Sequence, residues 1–251
     1  MRRPLVAGNW KMNKNVQEAA LLVADLMPGL EAVKTVDCVL CPPFTSLMVV
    51  SGMVAGTEIS LGAQNIHWED AGAYTGEISP AMIREFCQYT IIGHSERRAY
   101  FHESDEMVNK KIKAALLNDL IPIVCVGETL EEREKNQTSD VITRQVTEAF
   151  KGFDSINPLQ IIIAYEPVWA IGTGKASVPE DANDVIGGVV RASLIKMFGE
   201  DHAQQIRVLY GGSVNGQNAY DFFGKPEIDG GLVGGASLKP SDFLKIVEAA
   251  S

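Results

Sequence analysis

The chain has 251 residues, 46% of them hydrophobic and 22% charged, a composition that buries a large core and excludes a disordered or fibrous polymer. Its 22 Lys and Arg against 32 Asp and Glu leave a net charge of −10, which argues against a nucleic-acid partner and requires that any anionic ligand find a local positive pocket. Four cysteines, at 38, 41, 87 and 125, are too sparse for a disulfide scaffold, and no apolar run approaches membrane-spanning length. The start, MRRPLVAGNWKMN, reaches Trp10 and Lys11 before any signal-like apolar segment, so the expectation is a cytoplasmic protein with no membrane partner.

Eight runs rich in Val, Ile and Leu follow in order: Leu5–Ala7, Val36–Leu40, Ile59–Leu61, Thr90–Ile92, Ile121–Val126, Ile161–Ala164, Ile206–Leu209 and Gly231–Val233. Most are apolar on successive positions, as a strand covered on both faces must be. Helical patterns lie between them. Val16, Ala19, Ala20, Val23 and Leu26 predict one apolar face, and Val108, Ile112, Ala115 and Leu116 a second, with Lys110, Lys111 and Lys113 pointing elsewhere. Ile142, Val146, Ala149 and Phe150 make a third, and Phe243, Ile246, Val247 and Ala250, entered through Pro240, a fourth. Each gap between strands has room for one crossover helix. Eight such units in 251 residues predict an α/β fold, the (β/α)8 barrel, and the lack of any linker or composition shift predicts a single domain over 1–251. Chemistry is then sought just after each strand's C-terminal end.

After strand one, Asn9 and Lys11 put an amide and an ammonium group at the barrel mouth, where Lys11 can hold an anion. After strand four, His94 stands before a helix start, whose N-terminus disfavours imidazolium and leaves a neutral ring able to donate toward a carbonyl. Glu96, Arg97 and Arg98 read as a structural ion-pair cluster. After strand six, Glu166 precedes Pro167, Val168, Trp169, Ala170, Ile171, Gly172, Thr173, Gly174 and Lys175, a segment that reads as a hinged lid: proline stiffens its entry, the glycines bend, and the apolar middle excludes water and desolvates the carboxylate. After strands seven and eight, Tyr210-Gly211-Gly212-Ser213-Val214 and Gly230 to Ser237 are glycine-rich turns suited to phosphate.

Cys38-Val39-Leu40-Cys41 matches C-x-x-C, but residues three apart in a strand face opposite sides and no second ligand pair follows, so neither a dithiol nor a metal site is expected. Cys125 reads as a core residue, and no P-loop or dinucleotide fingerprint is present. An aldolase would need a Schiff-base lysine within a strand core, and those cores contain none. Another phosphate-binding barrel enzyme, or an inactive phosphate-binding barrel, remains open on the residues alone.

Six segments carry a resemblance to a known family: Gly8 to Asn13, Gly72 to Ser79, Ile92 to Arg98, Ala164 to Gly174, Tyr210 to Val214 and Leu232 to Leu238. Together, and in this order, they resemble the triosephosphate isomerases, whose fold is the TIM barrel. The resemblance implies interconversion of two triose phosphates in glycolysis and gluconeogenesis, without a cofactor or a metal. It implies Glu166 as base, neutral His94 as the group that polarises and protonates the oxygen, and Lys11 and Asn9 at the same charge. It further implies Gly172, Ser213, Gly234 and Gly235 around the phosphate, and Tyr210 as a latch for the closed lid. It implies a homodimer whose loop from Gln64 to Glu77 enters the neighbouring subunit, bringing Thr75 near the partner's Lys11 and the partner's His94, with Glu96 as a support. The Ala176-Ser177 pair after Lys175 departs from the Thr or Val followed by Ala that is frequent in that family, which bears on lid kinetics.

Overall fold

The computed structural model describes residues 2–171 and 177–251. Eight parallel strands, β1 (Leu5–Asn9), β2 (Asp37–Cys41), β3 (Ser60–Ala63), β4 (Tyr89–Ile92), β5 (Ile121–Val126), β6 (Ile162–Tyr165), β7 (Arg207–Tyr210) and β8 (Gly230–Val233), pair in chain order and close into a barrel where β8 meets β1. Every predicted run is a strand, with ends that agree to within two residues and coincide for Ile121–Val126. Asn9, Tyr165 and Tyr210, which the sequence places after strands, are the last residues of β1, β6 and β7.

Successive side chains take opposite sides of the barrel wall. Leu5, Ala7, Val39, Ile91, Ile123, Ile162 and Leu209 fill the barrel, while Val6, Leu40, Ile92, Val124, Ile163 and Val208 pack outward against helices. Both destinations are apolar, which is why the strands carry continuous rather than alternating hydrophobicity. Cys38 lies in the outer layer and Cys41 in the filling, so the C-x-x-C pair does not converge. Burial pushes the Cys38 thiol up to about 12, the value of an inert core residue.

The helices call for three corrections. In Val16–Ala32 the buried residues are Ala19, Leu22, Val23, Leu26 and Leu30; Val16 is the first helical residue, directly after the Asn15 cap, and is 41% exposed. Lys111 does not point away from the core: periodicity puts it on the face of Val108, Ile112 and Ala115, and it is buried there against Glu103. Some gaps hold more than one helix, as with Ser95–Tyr100 and Asp105–Leu117 between β4 and β5, or Leu130–Glu134 and Thr138–Ala149 between β5 and β6.

Ile123 is fully buried in the barrel filling, so Ile123→Ala opens a cavity there and lowers stability by about 2–5 kcal/mol. Urea titration followed by far-UV circular dichroism should show a lower midpoint at unchanged slope.

Candidate active site

Polar side chains gather where the strands stop. Along β6, Ala164 faces the filling and Tyr165 the outer layer, so the next residue, Glu166, turns inward at the barrel mouth, 2% exposed. Its Oε2 accepts the Ser95 N–H at 2.9 Å, and its Oε1 lies 3.0 Å from His94 Nε2. Two glycines make room for it. A Cβ on Gly211 would stand 2.8 Å from Glu166 Cγ, and one on Gly127 would collide with the Glu166 carbonyl.

His94 follows Gly93, whose φ of +72° turns the chain sharply off β4. The ring then caps the Ser95–Tyr100 helix, its Nδ1 accepting the Glu96 N–H at 3.2 Å. Only an unprotonated Nδ1 can accept, so the neutral ring carries its hydrogen on Nε2, the atom that faces Glu166. Burial favours that neutral ring, yet the Glu166 carboxylate, its hydrogen bond and the Glu96 carboxylate carry the His94 pKa above its ordinary value. The sequence expectation of a ring held neutral by a helix end is thus corrected: the cap fixes which nitrogen carries the hydrogen, while the two carboxylates move the pKa the other way. For Glu166, burial alone would raise the pKa, but His94, the Ser95 N–H and Lys11 bring it below the usual carboxylate range. At rest the carboxylate is ionised and held.

Asn9 ends β1, and its Oδ1 accepts the Lys11 N–H at 3.0 Å. Lys11 occupies the left-handed region at φ +53°, fixed there also by Gln64, whose Nε2 donates to the Lys11 carbonyl at 2.9 Å and to the Cys41 carbonyl at 2.8 Å. The Lys11 ammonium meets Glu96 Oε1 at 2.6 Å. Arg97 and Arg98 pair instead with Glu103 and Asp105, so the predicted cluster of Glu96, Arg97 and Arg98 divides, each member having a partner outside it.

One cleft of about 580 Å³ joins Asn9, Lys11, His94, Glu166, Ile171, Ser213, Gly234 and Gly235. The Ser213 hydroxyl donates to the Ala170 carbonyl at 2.5 Å, and Tyr210, buried and stacked on Phe222 at 4.2 Å, lies beside the Ser177 backbone. Of the predicted lid, Pro167 to Ile171 are described, while Gly172, Thr173, Gly174 and Lys175 lie outside the described residues, as does Ala176. Thr75 is elsewhere, in the exposed run 71–77.

Glu128 is the residue that the sequence reasoning missed. Fully buried, its carboxylate accepts the Trp169 indole N–H at 2.9 Å and the Tyr165 hydroxyl at 3.2 Å, and Arg133 lies 3.5 Å away while stacking over the Trp169 ring at 4.4 Å. It stands two residues after β5, so the same strand-end search finds it once applied there. Gln64, one residue after β3, was open to the same search. Glu103 left no local signal, and Lys111 signalled its burial only through its helical period. Glu103 Oε1 accepts the Gly93 N–H at 3.0 Å, and Lys111 bridges Glu103 Oε2 at 2.6 Å to Asn65 at 2.7 Å, tying the root of His94 to the root of the 64–77 loop.

A carboxylate and an imidazole in contact, a lysine beside them, and glycines and a serine across the same mouth gather at the strand ends of a (β/α)8 barrel, the face on which enzymes of this fold carry out acid–base chemistry. A family model for triosephosphate isomerase matches residues 4–250, and the chain belongs to that family. The triosephosphate isomerase of Caldanaerobacter subterraneus subsp. tengcongensis is 53% identical over 248 residues, covering 98% of this chain and 99% of the relative. That of Dictyoglomus thermophilum is 52% identical over 250 residues, covering 99% and 100%. The crystal structure of triosephosphate isomerase from Bartonella henselae superposes with a TM-score of 0.90 at 39% identity, covering 98% of each protein.

Burial works against ionised Glu103, but Lys111 and Arg97 hold its pKa below the usual value. The folded state thus releases this proton more readily than the unfolded one, so the contribution is whole above the unfolded pKa of about 4.3 and is lost as pH falls through the lower folded value. Lys111→Met leaves the carboxylate with Arg97 as its one cationic partner, should cost about 1.5–3 kcal/mol at neutral pH, and should narrow the gap between urea midpoints at pH 7 and about pH 3.5.

Proposed function

We propose that the chain interconverts dihydroxyacetone phosphate and D-glyceraldehyde 3-phosphate through an enediolate, using side chains alone. The observation that carries this reading is the 3.0 Å approach of His94 Nε2 to Glu166 inside the cleft that also holds Lys11, Asn9, Ser213, Gly234 and Gly235. Glu166 removes a proton from the carbon beside the carbonyl and returns it to the neighbouring carbon. The Nε2–H of His94 donates to the oxygen on which charge grows, with Lys11 and Asn9 on the same side. Backbone N–H groups of Gly172, Gly234 and Gly235 and the Ser213 hydroxyl hold the phosphate.

At rest Glu166 is a weak base because the Ser95 N–H and His94 stabilise its charge. Substrate that engages His94 removes one of these partners, and a carboxylate moved toward Ile171 and Leu232 on the cleft wall leaves burial as the main influence, which raises its basicity. The Pro167–Lys175 lid, latched by Tyr210, shuts water out, so that the enediolate does not lose phosphate by elimination. Glu128 fits this scheme as the anchor of the lid's entry through Trp169.

The same reading takes the chain as a single-domain, cytoplasmic homodimer. A second cleft, about 650 Å³, shares Asn9, Lys11 and His94 with the first. Met12, 97% exposed, and Phe44, Tyr100 and Phe101 leave its rim apolar and uncovered. A loop 64–77 from a second copy, with Thr75 at its tip, would cover that rim and close one wall of the active cleft.

In D₂O, the protein should convert glyceraldehyde 3-phosphate to dihydroxyacetone phosphate bearing solvent deuterium at the transferred carbon, read by proton NMR. Glu166→Gln should lower kcat by about 10²–10⁴-fold while phosphate-ligand affinity holds, since it removes the base and leaves the grip. Near-normal turnover would refute the assignment. Thr75→Arg should shift sedimentation toward monomer and reduce activity with it; an active dimer would remove the interlocking loop from this reading.

A further inference from the structure

We infer that Asn215 is a deamidation site, and that its conversion to aspartate or isoaspartate places a negative charge on the phosphate side of the cleft. Asn215-Gly216 is the single Asn-Gly pair in the sequence. Asn215 is exposed and lines the 580 Å³ cleft two residues beyond Ser213, in the turn that leaves β7. Gly216 has no side chain to obstruct approach of its backbone nitrogen to the preceding amide. Its N–H makes no hydrogen bond among the described residues, so the attack breaks nothing already formed.

The turn also prepares the carbon under attack. Asn215 Oδ1 accepts the Gln217 N–H at 2.8 Å and the Asn218 N–H at 3.2 Å. Two donors on that oxygen polarise Cγ and stabilise the oxyanion that forms when nitrogen adds to it. In the first step a bond forms between Gly216 N and Asn215 Cγ, the Asn215 Cγ–Nδ2 bond breaks, and ammonia departs carrying the proton that Gly216 gave up. Water then opens the cyclic imide at either carbonyl, leaving aspartate or isoaspartate. The sum is amide plus water giving carboxylate plus ammonium, with no change of oxidation state.

The functional consequence rests on the cleft being the phosphate site proposed above. A carboxylate at 215 repels a dianionic substrate, and isoaspartate also lengthens the backbone within a turn held by Asn218, whose side chain accepts the Asn215 N–H at 2.9 Å and donates to the Ser213 carbonyl at 3.1 Å.

The test ages full-length protein in mildly alkaline buffer and follows each Asn-containing peptide by mass spectrometry. The 215 peptide should gain the mass of an amide-to-acid exchange before any other. In Gly216→Ala, where the added Cβ meets Lys245 Cβ and Cδ at 3.0 Å and Asp242 Oδ1 at 3.5 Å, side-chain atoms that need give by a few tenths of an ångström, that gain should slow by at least about tenfold. Absence of the gain at 215, or an equal rate in Gly216→Ala, overturns the site, and neither result depends on what the protein catalyses. Fresh Asn215→Asp should show KM for the triose phosphate raised about three- to tenfold, kcat within about twofold, and a penalty that shrinks with added salt. An unchanged KM overturns the electrostatic consequence.

Discussion

The wall of a closed parallel barrel sends successive side chains alternately into the filling and out against the helices, and both places are apolar. Charged groups are thereby kept out of strand interiors and confined to the points where strands begin or end. Asn9 is the last residue of β1, Glu166 the first beyond β6, and Glu128 the second beyond β5. His94 needs one more device, because β4 ends at Ile92 and the left-handed Gly93 must redirect the chain before the imidazole can face Glu166. The active cleft is the sum of these terminations, brought together by closure of the sheet rather than by proximity in sequence.

Most of the cleft's charges are offset at rest. Lys11 is balanced by Glu96, and Glu166 by His94 and the Ser95 N–H. A protein of net charge −10 can therefore keep a buried carboxylate ionised and still present a lysine to an anion. The balance is local and made of single contacts, so a ligand that replaces one partner changes the protonation preference of the others. The rigid part lies a layer further out, where Glu103 and Lys111 fix Gly93, and Glu128 fixes Tyr165 and Trp169.

The strands were legible because burial on both faces writes an unbroken apolar run, and the cleft was legible because a barrel puts chemistry at the ends of those runs. Lys111 was misread for a physical reason: its periodicity matched the core face while its charge suggested water, and the partner that reconciles the two, Glu103, lies outside the helix. Val16 was misread in the opposite sense, an apolar residue in the first turn that the core does not cover. Glu128 and Gln64 stand just past the ends of β5 and β3, so their positions are legible in the sequence, but the Trp169 indole and the Cys41 carbonyl that give them their roles come from other strands' ends. The resting state of His94 was only half legible, since the helix cap is local in sequence whereas Glu166 comes from a strand 71 residues away from Ser95.

Lys11 brings one more consequence. A lysine held at φ +53° costs roughly 1–3 kcal/mol that glycine would not, and Asn9 and Gln64 are needed to keep it there. Glycine would take this conformation without the strain, although it would also lose the ion pair to Glu96. Selection for durability alone would drive this position toward glycine, so a lysine here is evidence of a demand that stability cannot explain, and this corner of the barrel is where thermal robustness and chemistry compete.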